Sequence, residues 1–396
     1  MNNFSFCSPT EFVFGRNTES EVGKLLKKRG ASRVMIHYGS GSAVRSGLLK
    51  RIESCLQNEF IDYVLLGGVQ PNPVDDMVYR GIDFCRSERV DFILAIGGGS
   101  VIDSAKAIAA GVPYGGDFWN FFDGKVIINK TLPVGVVLTI PAAGSEGSVS
   151  SVITQKASGL KRSLWSQHFR PAFAVMNPEL TCTLPPFQTA CGIADMMAHV
   201  MERYFSGTPG VELTDRLCEA LLLTIIKEAK VVMADPENYT ARANLMWAGT
   251  LAHNGICGAG REEDWASHKL EHELSARYGV AHGAGLAVTF PAWANYVAGA
   301  NLDLFVQFAT RIWNIQPLEN KRETARQGIR AMRDFFSSIG LPVNFQQLGA
   351  RKEDIDDLVA HLKINTGGTF GALVKLDMND ARQIYEAMSE GISTLP

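Results

Sequence analysis

The segments GIADMMAHV (residues 192–200) and SHKLEHELSARYGVAHG (residues 267–283) constrain the fold of this chain most, because together they carry a full set of ligands for one divalent metal. A fold that uses them must bring two distant stretches into contact. Asp195 and His199 are four residues apart in a helix-like stretch, so both side chains leave the same helix face one turn apart. His268 and His272 repeat that spacing, and His282 follows just past the Tyr278-Gly279 break. One carboxylate with three imidazoles suits zinc or ferrous iron, and the absence of thiolate from the set speaks for a catalytic metal and against a purely structural zinc. Four histidines are available for three imidazole positions, so one of them, most simply His272, sits beside the metal as a proton relay or substrate contact. Such pairs are common on helices by chance; two of them in one chain, with His282 beyond, weigh against chance when the next motif is added.

That motif is VDFILAIGGGSVIDSAKAIAAG, residues 90–111. Phe92 to Ile96 reads as a buried strand, Gly97-Gly98-Gly99-Ser100 as a tight turn and Ile102 to Ala110 as a helix. Glycines let backbone amides approach a diphosphate, and the helix N-terminus adds partial positive charge. This predicts an anion cradle, although the run is not G-x-G-x-x-G and matches an ordinary strand-to-helix turn equally well. Asp103 falls in the helix's first turn, placed either to cap it or to bind a ribose or amide group.

The rest of the chain frames these motifs. Apolar runs at Arg33 to Tyr38, Tyr63 to Leu66, Phe92 to Ile96, Val134 to Ile140 and Phe173 to Met176 alternate with helical patterns at Ala43 to Asn58 and Pro73 to Glu88. This predicts a Rossmann-like α/β domain, a parallel sheet covered by helices, over residues 1–180. Beyond Leu184-Pro185-Pro186 the periodicity turns helical: Phe187 to Phe205, Glu212 to Ala234, Arg242 to Asn254, Asp264 to Tyr278, Leu302 to Trp313, Lys321 to Ser338 and Asn379 to Ser389. Residues 181–396 are therefore expected to form an all-helical metal and substrate domain, with the chemistry in the cleft between the two. A chain of 396 residues is long enough for two cores. Its net charge of −3 gives no footprint for nucleic acid or an anionic membrane. Seven scattered cysteines, the lack of a signal pattern and the lack of any stretch able to span a bilayer lead to an expectation of a cytoplasmic protein with reduced thiols. An exposed apolar edge in the first domain makes a homodimer the expected assembly.

The phrases GGGSVIDSAK, PAAGSEGS, GIADMMAHVMERYF, DWASHKLEHELSARYGVAHGAGLAVTFPAW and FGRNTESEVG together resemble the iron-containing, group III alcohol dehydrogenases over essentially the whole chain, nearest to the butanol dehydrogenase and broad aldehyde reductase branch. The resemblance implies that Asp195, His199, His268 and His282 ligate Fe2+ or Zn2+ and leaves His272 in the substrate pocket, with proton delivery running either through His272 as the catalytic group or through bound water and a cofactor ribose hydroxyl. It also implies that Gly98, Gly99 and Ser100 hold the cofactor diphosphate, with further contacts from Asn72, Asp103, Thr139, Ser145 and Lys161. Two departures stand out. The turn after the first strand reads Gly39-Ser40-Gly41-Ser42 where three glycines and a serine are usual, and Ala143 replaces a usual threonine. No carboxylate in the Gly39 to Ser42 turn would repel a 2′-phosphate, which points to NADP(H) in preference to NAD(H), with Arg45 and Lys161 as candidate cationic partners.

The expected activity is hydride transfer between a nicotinamide cofactor and a small aldehyde or primary alcohol, the metal polarising the carbonyl. Trp265, Phe290 and Trp293 are placed either to line an apolar pocket or to fill the core. A dehydroquinate-synthase-like lyase would need more basic residues than Lys269 and Arg277 near the ligands, and a catalytically inactive binding protein would not need all four ligands intact.

Overall fold

Strong β-formers in the first half of the chain give eight strands: β1 (Glu11–Phe14), β2 (Arg33–Gly39), β3 (Asp62–Val69), β4 (Phe92–Gly97), β5 (Val134–Leu138), β6 (Ser150–Thr154), β7 (Lys161–Trp165) and β8 (Phe173–Met176). In the structure, a computed structural model that describes residues 1–390, six of them pair in parallel in the order β1-β8-β5-β4-β2-β3. The strands β6 and β7 form a separate antiparallel hairpin. All five strands read from the sequence are present, whereas β1, β6 and β7 come only from the structure.

Alternation along the strands builds a core on each face of the sheet. Val34, Ile36, Leu94, Ile96, Val137 and Val175 point to one face and pack with α1 (Val22–Lys28) and α3 (Leu48–Asn58), while Met35, Ile93, Ala95 and Val136 point to the other, under α4 (Asp75–Ser87) and α5 (Gly99–Gly111). One helix was expected over Ala43 to Asn58. The structure has instead a single turn, α2 (Ser42–Arg45), and then α3, because Gly47 at φ +71° takes the left-handed conformation between them. A further turn, α6 (Trp119–Phe122), adds aromatic packing beneath the sheet's second face.

By packing, residues 7–184 and 237–254 form one unit, and residues 1–6, 185–236 and, among the described residues, 255–390 the other. The helix expected in the C-terminal region at Arg242 to Asn254, observed as α9 (Tyr239–His253), thus belongs with the sheet. Its residues are tied there: Thr250 bonds the buried Glu146, His253 Nε2 meets Ser150 Oγ at 2.9 Å, and the Trp247 ring sits edge-on to Phe12 at 5.6 Å. Helical periodicity alone could not assign it to a layer.

The second unit is helical. Its elements are α7 (Pro186–Tyr204), α8 (Glu212–Ala234), α10 (Ala266–Tyr278), α11 (His282–Val297), α12 (Leu302–Arg311), α13 (Lys321–Ser338), α14 (Phe345–Leu348), α15 (Ile355–Thr366) and α16 (Met378–Glu390). Among the described residues no helix is long and apolar enough to cross a membrane.

Candidate metal and cofactor sites

Helix α7 is buried on every side from Thr189 to Tyr204, so its polar residues persist only where they find partners. Asp195 and His199 are among them. Helix α10 carries His268 and His272 and ends at Gly279, whose left-handed φ of +65° turns the chain sharply enough for α11 to begin at His282. A Cβ on Gly283 would lie 1.9 Å from the Cys191 carbonyl oxygen, so only glycine lets the start of α11 press onto α7 there. That contact sets His282 beside Asp195, one helical turn beyond Cys191.

The convergence is close. Ligand atoms of Asp195, His268 and His282 all lie within 4.8 Å of one another, and His199 Nε2 is 3.3 Å from Asp195 Oδ1. The His199 and His268 rings are 4.6 Å apart between centroids, His268 and His282 5.3 Å. His272 stands at the margin, its ring 5.7 Å from His282 and 6.5 Å from His268, and it groups with Glu271 and His282.

The donor set fits a divalent cation. Burial, then the neighbouring His268 and Arg203, hold His199 well below the usual histidine range, in the neutral form that ligates a metal. Two buried carboxylates that sequence reasoning missed stand behind the rings: Glu202 accepts from His268 Nδ1 at 2.7 Å, and Glu271 from His282 Nδ1. Both were legible as positions, since Glu202 follows His199 by three residues and Glu271 precedes His272 directly, but each read as an ordinary charged helix residue. Burial, then the Asp264 charge, push the Glu202 carboxyl well above its usual range, while bonds from Ser267 and the His268 amide act in the opposite sense. A cation among these groups would relieve that penalty.

Of the aromatic candidates, Phe290 and Trp293 are fully buried in the core against Phe205. Trp265 is different. Half-buried, it lies edge-on to His199 and His268 at 5.5 and 5.0 Å, with the Arg203 guanidinium 4.7 Å over its ring and its indole N–H bonded to Glu263.

In the other unit, the chain leaves β2 to form β3 on one flank and returns to form β4 on the opposite flank. The turns at the carboxyl ends of β2 and β4 therefore diverge, which in parallel sheets opens the ligand-binding crevice. Gly39 to Ser42 and Gly97 to Ser100 are those two turns. Thr139 follows β5 and donates its N–H to the Gly97 carbonyl at 3.0 Å, and Lys161 Nζ bonds Asn72 Oδ1 at 3.1 Å. Arg45 folds back over its own turn, its guanidinium 2.8 Å from where a Gly41 Cβ would be.

Asp103 does not cap α5; the N-cap is Gly98. Its carboxylate instead accepts from Ser145 Oγ at 2.6 Å and the Val152 N–H at 3.0 Å. Burial raises its pKa against the opposing pull of Lys106. Lys106, also missed from the sequence, is fully buried and donates to Ser145, Ser148 and Ser150 oxygens, which shapes the PAAGSEGS segment. Burial lowers its pKa to about 8, with Asp103 and Glu146 resisting.

Two family models cover the chain: "iron-containing alcohol dehydrogenase" over residues 9–178 and the C-terminal model of the Fe-containing alcohol dehydrogenase family over residues 189–389. The chain is 40% identical to NADH-dependent butanol dehydrogenase A of Clostridium acetobutylicum, covering 98% of this chain and 99% of the relative. It is 37% identical to an NADPH-dependent aldehyde reductase of Escherichia coli, covering 98% and 100%. The crystal structure of NADH-dependent butanol dehydrogenase A from Thermotoga maritima superposes with a TM-score of 0.96 at 38% identity, over 98% of this chain and 99% of that one.

Proposed function

The chain belongs to the iron-containing alcohol dehydrogenase family, and we propose that it is a metal-dependent oxidoreductase that interconverts small aldehydes and primary alcohols with NADP(H) in preference to NAD(H). The observation that carries this reading is the convergence of Asp195, His268 and His282 ligand atoms within 4.8 Å, with His199 against Asp195. In this reading Asp195, His199, His268 and His282 hold Fe2+ or Zn2+, and Gly98, Gly99, Ser100 and the Gly39 to Ser42 turn hold the cofactor. When bound, the metal supplies Lewis-acid polarisation of a carbonyl and the nicotinamide supplies or accepts the hydride.

The protein's own groups do the rest. Backbone amides at the start of α5 neutralise a diphosphate, and the helix's positive end adds to them. Asn72, Thr139, Ser145 and Lys161 complete the cofactor contacts, and Asp103 holds Ser145 in place. His272, whose ring lies beside the cluster, exchanges the proton of the alcohol oxygen. Trp265 shields the rings of His199 and His268 from water on one side. The NADP(H) preference rests on the carboxylate-free Gly39 to Ser42 turn and on Arg45 lying over it. Arg277 is committed to Asp354 and Asp357, which counts against a phosphate-eliminating lyase that would need it for a phosphorylated substrate.

We assign the protein to the cytoplasm on its seven free cysteines, and to a homodimer on β3, a sheet-edge strand that carries the exposed Leu65 and is preceded by the exposed Phe60. The deciding experiment is to strip the protein of metal, reload it with Fe2+ or Zn2+, and assay butanal and a panel of aldehydes and alcohols with NADH and NADPH in parallel. Metal-dependent turnover, faster with NADPH, is expected; turnover indifferent to metal overturns the reading.

A further inference from the structure

The two carboxylates behind the candidate ligands are not equivalent. Glu202 bonds His268 Nδ1, yet it also accepts from Ser267 Oγ and from the His268 amide at 3.0 Å, so it organises the first turn of α10 as well. Glu271 serves the cluster more directly. Its Oε2 accepts from His282 Nδ1, its Oε1 accepts from the Ser275 hydroxyl one turn further along α10, and the side chain is fully buried. Room for it is built into the facing helix: a Cβ on Gly285 would come within 2.5 Å of Glu271 Oε1.

This matters most for His282. Its side chain is 24% exposed, against 9% for Asp195 and 7% for both His199 and His268, so packing restrains this ring least and water reaches it most. A carboxylate oxygen can only accept, so the proton is on Nδ1 and the lone pair on Nε2, the nitrogen 3.9 Å from Asp195 Oδ1. Without Glu271 the ring could rotate or change tautomer, and the ligating lone pair would be presented only part of the time.

We propose that Glu271 is a positioning residue of the metal centre: by holding His282 through Nδ1 it fixes the tautomer and orientation in which Nε2 ligates, and so tightens metal binding. The inference rests on the metal-site reading above. It extends that reading to a residue that touches neither substrate nor metal.

The test compares the parent with Glu271→Met, which keeps volume but no acceptor, Glu271→Gln, whose amide oxygen still accepts from Nδ1, and His282→Ala. Zn2+ affinity is measured by chelator competition, and the Co2+-loaded proteins are compared by their visible absorption. Glu271→Met should weaken Zn2+ binding roughly 10- to 100-fold and alter the Co2+ spectrum, the range expected for removing a carboxylate partner of a ligating histidine. Glu271→Gln should recover most of this, with a spectrum close to the parent's and affinity about threefold to tenfold weaker from the lost charge. If the methionine variant does not fold, Glu271→Leu, which likewise offers no acceptor, carries the test. Affinity within twofold of the parent in the acceptor-free variant overturns the inference. His282→Ala separates the two levels: if it binds metal like the parent, the metal-site reading itself is lost, whereas metal loss there with parent-like Glu271 variants removes only this inference.

Discussion

In the helical unit the candidate site is made of side chains: a carboxylate and imidazoles from α7, α10 and α11, with buried glutamates behind two of the rings. In the sheet unit it is made mostly of backbone at the carboxyl ends of β2 and β4, with a buried lysine and aspartate shaping the neighbouring PAAGSEGS segment. A site of side chains is lost when one ligand is cut away, even if the backbone is untouched. A site of amides survives many side-chain changes and fails when a Cβ or a charge enters the space its ligand needs.

The hardest test of this contrast is removal of a ligand. His268→Ala or His282→Ala should release the metal and lower turnover by about a thousandfold or more, since Lewis-acid polarisation is worth several kcal/mol of barrier. Thermal unfolding of the metal-free variants should stay near that of the metal-free parent. His272→Ala should keep its metal and lose roughly a hundredfold or more in rate, as expected for a proton-transferring group. Elemental analysis beside kcat checks both, and stoichiometric metal in His268→Ala and His282→Ala would break the comparison at its root.

The two sites were unequally legible, for the same reason. Ligand chemistry shows in sequence because few residue types can do it and the helix period fixes their spacing; α8 and α13 were read at their observed ends because long amphipathic runs carry the same periodicity. Glu202 and Glu271 escaped because glutamate on a helix is ordinarily solvated, and only the folded chain shows that both are buried. Helix α11 was hidden by Gly283, Gly285 and Pro291, residues that normally interrupt helices; here the two glycines permit close packing. The hairpin of β6 and β7 was hidden by its polar residues, which the fold pairs: Ser150 accepts from the buried Lys106, the Ser151 hydroxyl donates to the Asp103 carbonyl and Lys161 bonds Asn72. Lys106 itself looked like one more helix cation.

Acid should separate the units next. His37 in β2 is fully buried between the Leu66 carbonyl and Ser104 Oγ, and burial lowers its pKa from 6.5 to about 4. The unfolded chain therefore binds one more proton in that window. Stability from this group is present above pH 6.5 and lost as pH falls through about 4, a total of about 3 kcal/mol. Urea midpoints of parent and His37→Gln across this range should diverge from the parent's steeper slope by about one proton. Parallel slopes would place the acid sensitivity of the fold elsewhere.

The cofactor preference gives a smaller effect. Ser40 is exposed in the turn over which Arg45 folds. Ser40→Asp would set a carboxylate near a 2′-phosphate, a repulsion of roughly 4 kcal/mol at ~4 Å and an effective dielectric of about 20 before screening. At a solvated site most of it is screened, so NADPH should lose about tenfold in kcat/KM against a much smaller change for NADH. Arg45→Ala should move the ratio in the same direction. Equal efficiency with both cofactors, unchanged in either variant, would show that another segment sets the preference.

The finest test separates two adjacent glycines. A Cβ on Gly98 would lie 2.9 Å from Ile140 Cβ, whereas a Cβ on Gly99 meets nothing within 4 Å. Gly98→Ala should therefore destabilise the protein by about 1–3 kcal/mol through forced repacking. Gly99→Ala should leave stability unchanged or raise it by a few tenths of a kcal/mol, because alanine is the better helix former. If α5 begins as a cradle of amides, the space that is open around Gly99 is where the diphosphate sits, and its methyl group should weaken cofactor binding about threefold without touching the fold. Fluorescence titration with NADPH beside thermal unfolding reads both quantities. Parent-like affinity in Gly99→Ala would mean that the diphosphate approaches α5 from another side, and the sheet unit would then share the helical unit's dependence on side chains.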